Sequence, residues 1–291
     1  MISDFMSANF SYALLGEVSA TPKPGLVDRK DSGAHKDMCY DTFVASTHAV
    51  VPYLTRMAAM GLSWPSPEGD GLFAAIRPVG MEAERAMYQA TGGVNTHKGM
   101  IFSMGIVGAA CGLYFQKNRR FNAENILLLA GRLCHGLLEE DFQKISREHP
   151  KTHGEQLYVR YGQKGIRGEA QQGFPSIRTC SLPAIRRWRT SLADENQIHL
   201  NTLLSLMAQV DDTNVLIRTS PALLAYEKKE AARLLALGGA ATPRGMKALE
   251  AANLDFIEKN ISPGGCADLL AVTIFLDRIE RVGPENKPGT Q

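Results

Sequence analysis

Cysteine is scarce in this chain and its spacing forms no pairs. The five (Cys39, Cys111, Cys134, Cys180 and Cys266) are an odd number without a C-x-x-C step, which speaks against a disulfide framework or a zinc site. G-x-x-x-x-G-K-[ST] and G-x-G-x-x-G segments are both absent, so neither a P-loop nor a dinucleotide fingerprint is available to hold phosphates. No long basic block accompanies the net charge of +2, which excludes a nucleic-acid footprint; the local cluster RRWR at 186–189 reads as a solvated helix face. No apolar run approaches membrane-spanning length, and the opening MISDF lacks the basic and apolar regions of a secretory signal. The expectation is a cytoplasmic protein without a membrane partner. Strand signals are equally thin. Leu157, Val159 and Tyr161 alternate and 214–217 holds a short apolar run, but neither has a neighbour with hairpin chemistry.

What the chain does have is helix punctuation. Ser220, Thr242 and Ser262 each precede a proline, a capping hydroxyl before a residue suited to the first helical position. Gly238 and Gly239 end the first of these helices and Asn260 the second, while Asn122 caps an apolar helix of its own. Phe43, Val50 and Met57 recur beside Val44, Val51 and Ala58 with helical period, and Pro52 is expected to kink or split that helix. Leu200, Leu203, Met207 and Val210 repeat the pattern. With 44% hydrophobic residues over 291 positions, the chain predicts an all-α fold, a single large multi-helix domain over 1–282 of about ten to twelve helices. A disordered tail is expected over 283–291.

Two segments carry an unusual density of chemistry. PKPGLVDR at 22–29, followed by GAHKDM at 33–38, sets Lys23, Asp28, Arg29, His35, Lys36 and Asp37 on a stretch stiffened by two prolines and turned by two glycines. TGGVNTHKGMIFSMG at 91–105 breaks one helix and starts the next, with Asn95 or Thr96 placed to cap it and His97 and Lys98 in its first turn. Cations there oppose the helix macrodipole unless an anion arrives to share the N–H groups. Phosphate is the expected guest.

Together with GEQLY at 154–158, GIRGEAQQGFP at 165–175, DTNV at 212–215 and SPGGCADLL at 262–270, these segments give the chain its resemblance to the triphosphoribosyl-dephospho-CoA synthases. It runs in order from Tyr12 to Asp277. It implies transfer of the triphosphoribosyl unit of ATP to a ribose hydroxyl of 3′-dephospho-CoA, with release of adenine. The product would be the prosthetic-group precursor of citrate lyase or malonate decarboxylase, passed on to the acyl-carrier protein by a separate transferase system.

Such a transfer needs a neutralised triphosphate, a stabilised cationic ribose and a deprotonated acceptor hydroxyl. The phosphate-binding candidates are Lys23, Arg29, Lys36, Asn95, His97, Lys98 and Arg167, with Gly264 and Gly265 exposing backbone N–H groups. Asp37, Glu169, Asp212 and His35 are the catalytic candidates. Asp37, Asp212 and Asp268 are the candidate ligands for magnesium, expected to come with ATP; a helix cap competes for Asp212. Asp268 stands out because a carboxylate on an otherwise apolar helix is costly unless paired. Apolar helix faces leave room for a homodimer. The competing functions are a magnesium-dependent N-glycoside hydrolase acting on a nucleotide or ADP-ribose, and a non-catalytic nucleotide-binding protein.

Overall fold

The computed structural model describes residues 2–146, 148–150 and 152–283. Two long helices are apolar on nearly every face, and the rest of the chain wraps them. One is α4 (Lys98–Asn118) and the other α13 (Gly264–Val282). Around them run α1 (Ile2–Ser19), α2 (Tyr40–Leu62), α3 (Leu72–Ala90), α5 (Ala123–Gln143), α6 (His153–Tyr161) and α7 (Gly165–Gln171). A π-helical turn, Ile177–Ser181, leads into α8 (Leu182–Ser191), followed by α9 (Glu195–Met207), α10 (Thr213–Arg218), α11 (Pro221–Ala236) and α12 (Pro243–Glu258). Among the described residues there are thirteen α-helices and no strand. The all-α expectation holds, with more helices than anticipated because α6, α7 and α10 are short. The expected tail lies outside the described residues except for Gly283.

α4 closes against α2 at backbone distance. A Cβ on Gly112 would stand 2.0 Å from the Ala58 carbonyl oxygen, and one on Gly61 would stand 2.0 Å from that of Ala109. Only glycine permits that approach. Met100, Ile101, Val107 and Leu113 of α4 are buried, each contributing roughly 1.5–3 kcal/mol by leaving water. By length and composition α4 could cross a membrane, contrary to the expectation that no such run exists, but 78% of its apolar window is buried inside the protein. It is the core helix.

Local rules place most boundaries. Asn122, Ser220 and Thr242 cap α5, α11 and α12 by accepting from the N–H groups of Asn125, Leu223 and Gly245. Pro52 does not split α2, which runs through it. The two thin strand signals are helical, in keeping with the all-α reading: Leu157, Val159 and Tyr161 belong to α6, and the 214–217 run belongs to α10. One expectation fails. Ser262 does not cap α13, whose N-cap is Pro263; its hydroxyl instead meets His35 Nε2 at 2.8 Å.

The loop between α1 and α2 is organised by its own acids. Buried Asp28 accepts from the N–H groups of Lys23, Lys30 and Asp31. Asn253 of α12 straps the loop down through Gly25 N and Asp31 Oδ2. Two of its ionisable groups, Asp28 and Lys23, therefore turn inward, and the loop stands as a wall beside the starts of α4 and α13.

Candidate active site

The starts of α4, α10 and α13 meet in a cleft of two cavities. The first, of about 470 Å³, lies between the α1–α2 loop and the residues 95–99, with Arg218 and Gly264 on its far side. The second, of about 540 Å³, is bounded by α7, the segment 209–214 and Gly265. Gly99, Asn214 and Asp268 line both and form the partition. The long helices α4 and α13 direct their positive ends here.

In the first cavity Lys23 is buried and its ammonium lies 2.5 Å from Glu17 Oε1, also buried. His97 is the N-cap residue of α4 and only 2% exposed. Its ring stands edge-on to Phe43. Thr96 Oγ1 donates to Ser46 Oγ at 2.7 Å, and Ser46 Oγ lies 2.6 Å from His97 Nδ1. The Ser46 oxygen accepts from Thr96 and still has its own proton to give; donated to Nδ1, that proton sets the imidazole proton on Nε2. That Nε2 is buried and has no partner among the described residues. Burial, assisted by the Lys23 charge, pushes the imidazole down to about 3. His97 is thus a neutral imidazole.

Opposite, Arg218 anchors the loop by donating to Ala34 O at 2.7 Å and Asn260 Oδ1 at 2.6 Å, and its buried Nε finds no acceptor among the described residues. Burial and this guanidinium both hold His35 below the ordinary imidazole range. Asp37 is exposed at the rim, 3.9 Å from His35 Nδ1. Lys98 pairs with Glu84 of α3 at 3.2 Å, and Asn95 Oδ1 accepts from the Lys98 N–H.

The carboxyl groups near the partition divide by what they touch. Asp212 is 1% exposed. Its Oδ1 accepts from the N–H groups of Asn214 and Val215, capping α10, and its Oδ2 from Cys266 N at 2.7 Å, tying down α13. Burial still raises it above the usual carboxylate value. Asp268 makes no hydrogen bond or ion pair among the described residues. Its Oδ2 would stand 2.1 Å from a Cβ on Gly99, so glycine at that position admits the carboxyl against the start of α4. Burial, Glu17 and Asp212 together push it well above the usual range. Glu169, in the second cavity, accepts from Ser176 Oγ at 2.6 Å and from Ser176 N, and burial raises it too. Behind Asp212 lies Glu227 of α11, fully buried with both oxygens unpartnered among the described residues. Burial and the Asp212 charge push it up to about 9, so it is a neutral acid.

The chain matches the family described as CitG, ATP:dephospho-CoA triphosphoribosyl transferase, over residues 3–287. It belongs to that family. It is 41% identical over 264 residues to the 2-(5''-triphosphoribosyl)-3'-dephosphocoenzyme-A synthase of Klebsiella pneumoniae, covering 91% of this chain and 87% of that one. It is 39% identical over 269 residues to the synthase of the same name from Escherichia fergusonii (92% and 89% covered), and 39% identical over 267 to a probable synthase of Lactiplantibacillus plantarum (91% and 93%). No solved structure matches. As a member of the CitG family the chain is an enzyme, a transferase that moves the triphosphoribosyl unit of ATP to 3′-dephospho-CoA and releases adenine.

Against that reaction, the residues singled out in the sequence sort clearly. Lys23, His35, Asp37, Asn95, His97, Lys98, Gly264 and Asp268 line the first cavity, and Glu169, Asp212, Gly265 and again Asp268 the second. Three phosphate candidates are elsewhere. Arg29 is exposed over the Tyr40 ring, beside a separate hollow near Glu195. Lys36 is exposed and lines neither cavity, and Arg167 lines a third one with Lys98. Asp212 clamps two helix starts, with backbone N–H groups on both its oxygens, and also lines the second cavity. Lys23 already carries an ion pair. Among the described residues no group of three or more His, Cys, Asp or Glu is gathered to hold a metal, so the Asp37, Asp212 and Asp268 triad does not form. Arg218, Ser46 and Glu227 were not anticipated; the partners of the first two lie far away in sequence, and Glu227 is buried only by packing.

Proposed function

We propose that the triphosphate of ATP occupies the first cavity, that dephospho-CoA presents its ribose from the second, and that transfer occurs at the partition beside Asp268. The observation that carries this reading is that Asp268 lines both cavities and has no partner among the described residues. Support for the triphosphate comes from the His97 Nε2–H, Lys98, the free Nε of Arg218 and the positive ends of α4 and α13. Magnesium arrives with ATP. It would take only one or two protein carboxylates beside phosphate and water, which suits Asp37 at the rim and leaves Asp268 its proton for the transfer.

As the C1′–N9 bond of ATP breaks, Asp268 donates its proton to the departing adenine and its carboxylate remains beside the cationic ribose. The acceptor hydroxyl oxygen bonds to C1′, and its proton passes to Glu169 across the second cavity. Protons balance: adenine leaves neutral, and the two carboxyls exchange states before the next cycle. The product is the prosthetic-group precursor for the citrate lyase acyl-carrier protein. A cytoplasmic setting is supported by the five free cysteines, four of them buried.

Purified chain incubated with ATP, magnesium and dephospho-CoA tests the reading by chromatography with mass detection. Adenine and a triphosphoribosyl adduct should form in equal amounts, both requiring the acceptor. Adenine without acceptor would make the chain a hydrolase, and ATP binding without turnover a nucleotide-binding protein. Supplying the product and its downstream transferase to apo carrier proteins of citrate lyase and of malonate decarboxylase separates the two destinations.

A further inference from the structure

A third cavity, of about 220 Å³, opens beside the cleft between α3, α4 and α5. Its walls are Met57, Phe73, Ile76, Ile101, Phe102 and Leu138, and its charged groups stand at the rim. Two rim cations are already paired, Lys98 with Glu84 and Arg77 with Asp141 at 2.8 Å. Arg167 lines the same cavity and has no ion pair or hydrogen bond among the described residues. The slot joins the cleft on both sides. Lys98 is shared with the first cavity, and Ile166 and Gly168, on either side of Arg167, line the second. Space remains inside it, for a Cβ on Gly80 would meet nothing within 4 Å. Met81 lies across its mouth, 54% exposed.

We propose that this slot holds the pantetheine arm of dephospho-CoA, with Arg167 on the pyrophosphate that joins arm to nucleoside. The inference rests on the reading of dephospho-CoA as the acceptor in the second cavity. Of the two substrates, ATP can offer an apolar pocket only its flat adenine base, which dephospho-CoA carries as well. Dephospho-CoA has a long chain bearing a dimethyl group, two amides and a thiol, and its diphosphate separates that chain from the reacting ribose. An apolar channel with one unpaired guanidinium where it meets the nucleotide cavity matches that order of groups. It also gives Arg167 and its flanking glycines a use: contact with acceptor phosphate rather than with the triphosphate.

The test is a split between two Michaelis constants. Met81→Glu, an exposed position whose change spares the core, and Gly80→Phe, which fills the slot, are each assayed after their melting temperatures are matched to wild type. The KM for dephospho-CoA should rise about tenfold or more, equivalent to about 1.4 kcal/mol, with the KM for ATP unchanged. An unchanged KM for dephospho-CoA, or a parallel rise in both constants, overturns the proposal. Calorimetry with 4′-phosphopantetheine, which carries no adenine and cannot occupy a nucleotide site, gives an independent answer. Binding to wild type that is lost in Met81→Glu upholds the slot even if transfer activity were absent. Normal transfer with no effect of either variant would sink the slot and leave the transferase standing.

Discussion

Asp212, ahead of α10, and Asp268, in the second turn of α13, lie on either side of the same helix start, yet their surroundings are opposite. Three backbone N–H groups converge on Asp212 from two helices. None reaches Asp268, which faces the two cavities. A carboxylate with both oxygens bonded to the scaffold holds the fold together. One half-buried with no protein partner raises the energy of the empty enzyme, a cost that a ligand can relieve. The contrast therefore separates architecture from chemistry more sharply than burial does.

The strongest way to break this comparison is Asp268→Asn. It should lower kcat by about 10²–10⁴-fold, the usual worth of a placed acid or base, while the melting temperature holds or rises. Full activity in a folded Asp268→Asn protein would remove the residue from the reaction. Asp212→Asn should do the reverse. An amide nitrogen turned toward backbone donors costs roughly 2–4 kcal/mol of stability, read as an early denaturation midpoint, with activity falling because α13 loses its anchor. If Asp212→Asn melts normally but is inactive, the two residues belong to one class and the contrast fails.

Glu227 sharpens it further. Folded, it keeps its proton up to about 9, against an ordinary value near 4.5. Between those values the unfolded chain releases a proton that the folded one retains, so this residue's contribution to stability falls as pH rises through that window. Glu227→Gln should abolish that loss, gaining on the order of 1–3 kcal/mol at about pH 8 and little at about pH 4. Equal gains at both would mean that the proton is irrelevant. The smallest effect is expected from Ser46→Ala. It should free the His97 ring to change tautomer and raise the KM for ATP by about three- to tenfold. Nitrogen-15 spectra should show the proton on Nε2 in wild type, and an Nδ1 proton there would refute the relay.

Legibility followed the range of the interactions. The caps at Asn122, Ser220 and Thr242 bond three residues ahead, so their chemistry could be read locally. Ser262 carries the same signature, but its hydroxyl is taken by a histidine 227 positions away. Asp268 drew notice because a charge on an apolar helix is conspicuous in one dimension. The competing readings of Asp212, cap or ligand, could not be separated locally because one of its partners, Cys266 N, is 54 residues away. Glu227 was invisible: in YEKKE at 226–230 it reads as one member of a solvated charged run, and only packing buries it. Arg218, between an apolar turn and a capping serine, offers no local signal.

The reciprocal glycine contacts of α2 and α4 have a consequence for how this enzyme fails on warming. Ala109 and Gly112 sit ten and thirteen residues from Gly99, about 15–20 Å of helix, yet the rigid rod that they lock to α2 is the one that ends at the partition. With no side chains between the two backbones to act as bearings, α4 cannot creep along its axis while the body stays intact. Heat inactivation should coincide with whole-chain melting instead of preceding it, and a single methyl group added at Gly112 should bring both down together.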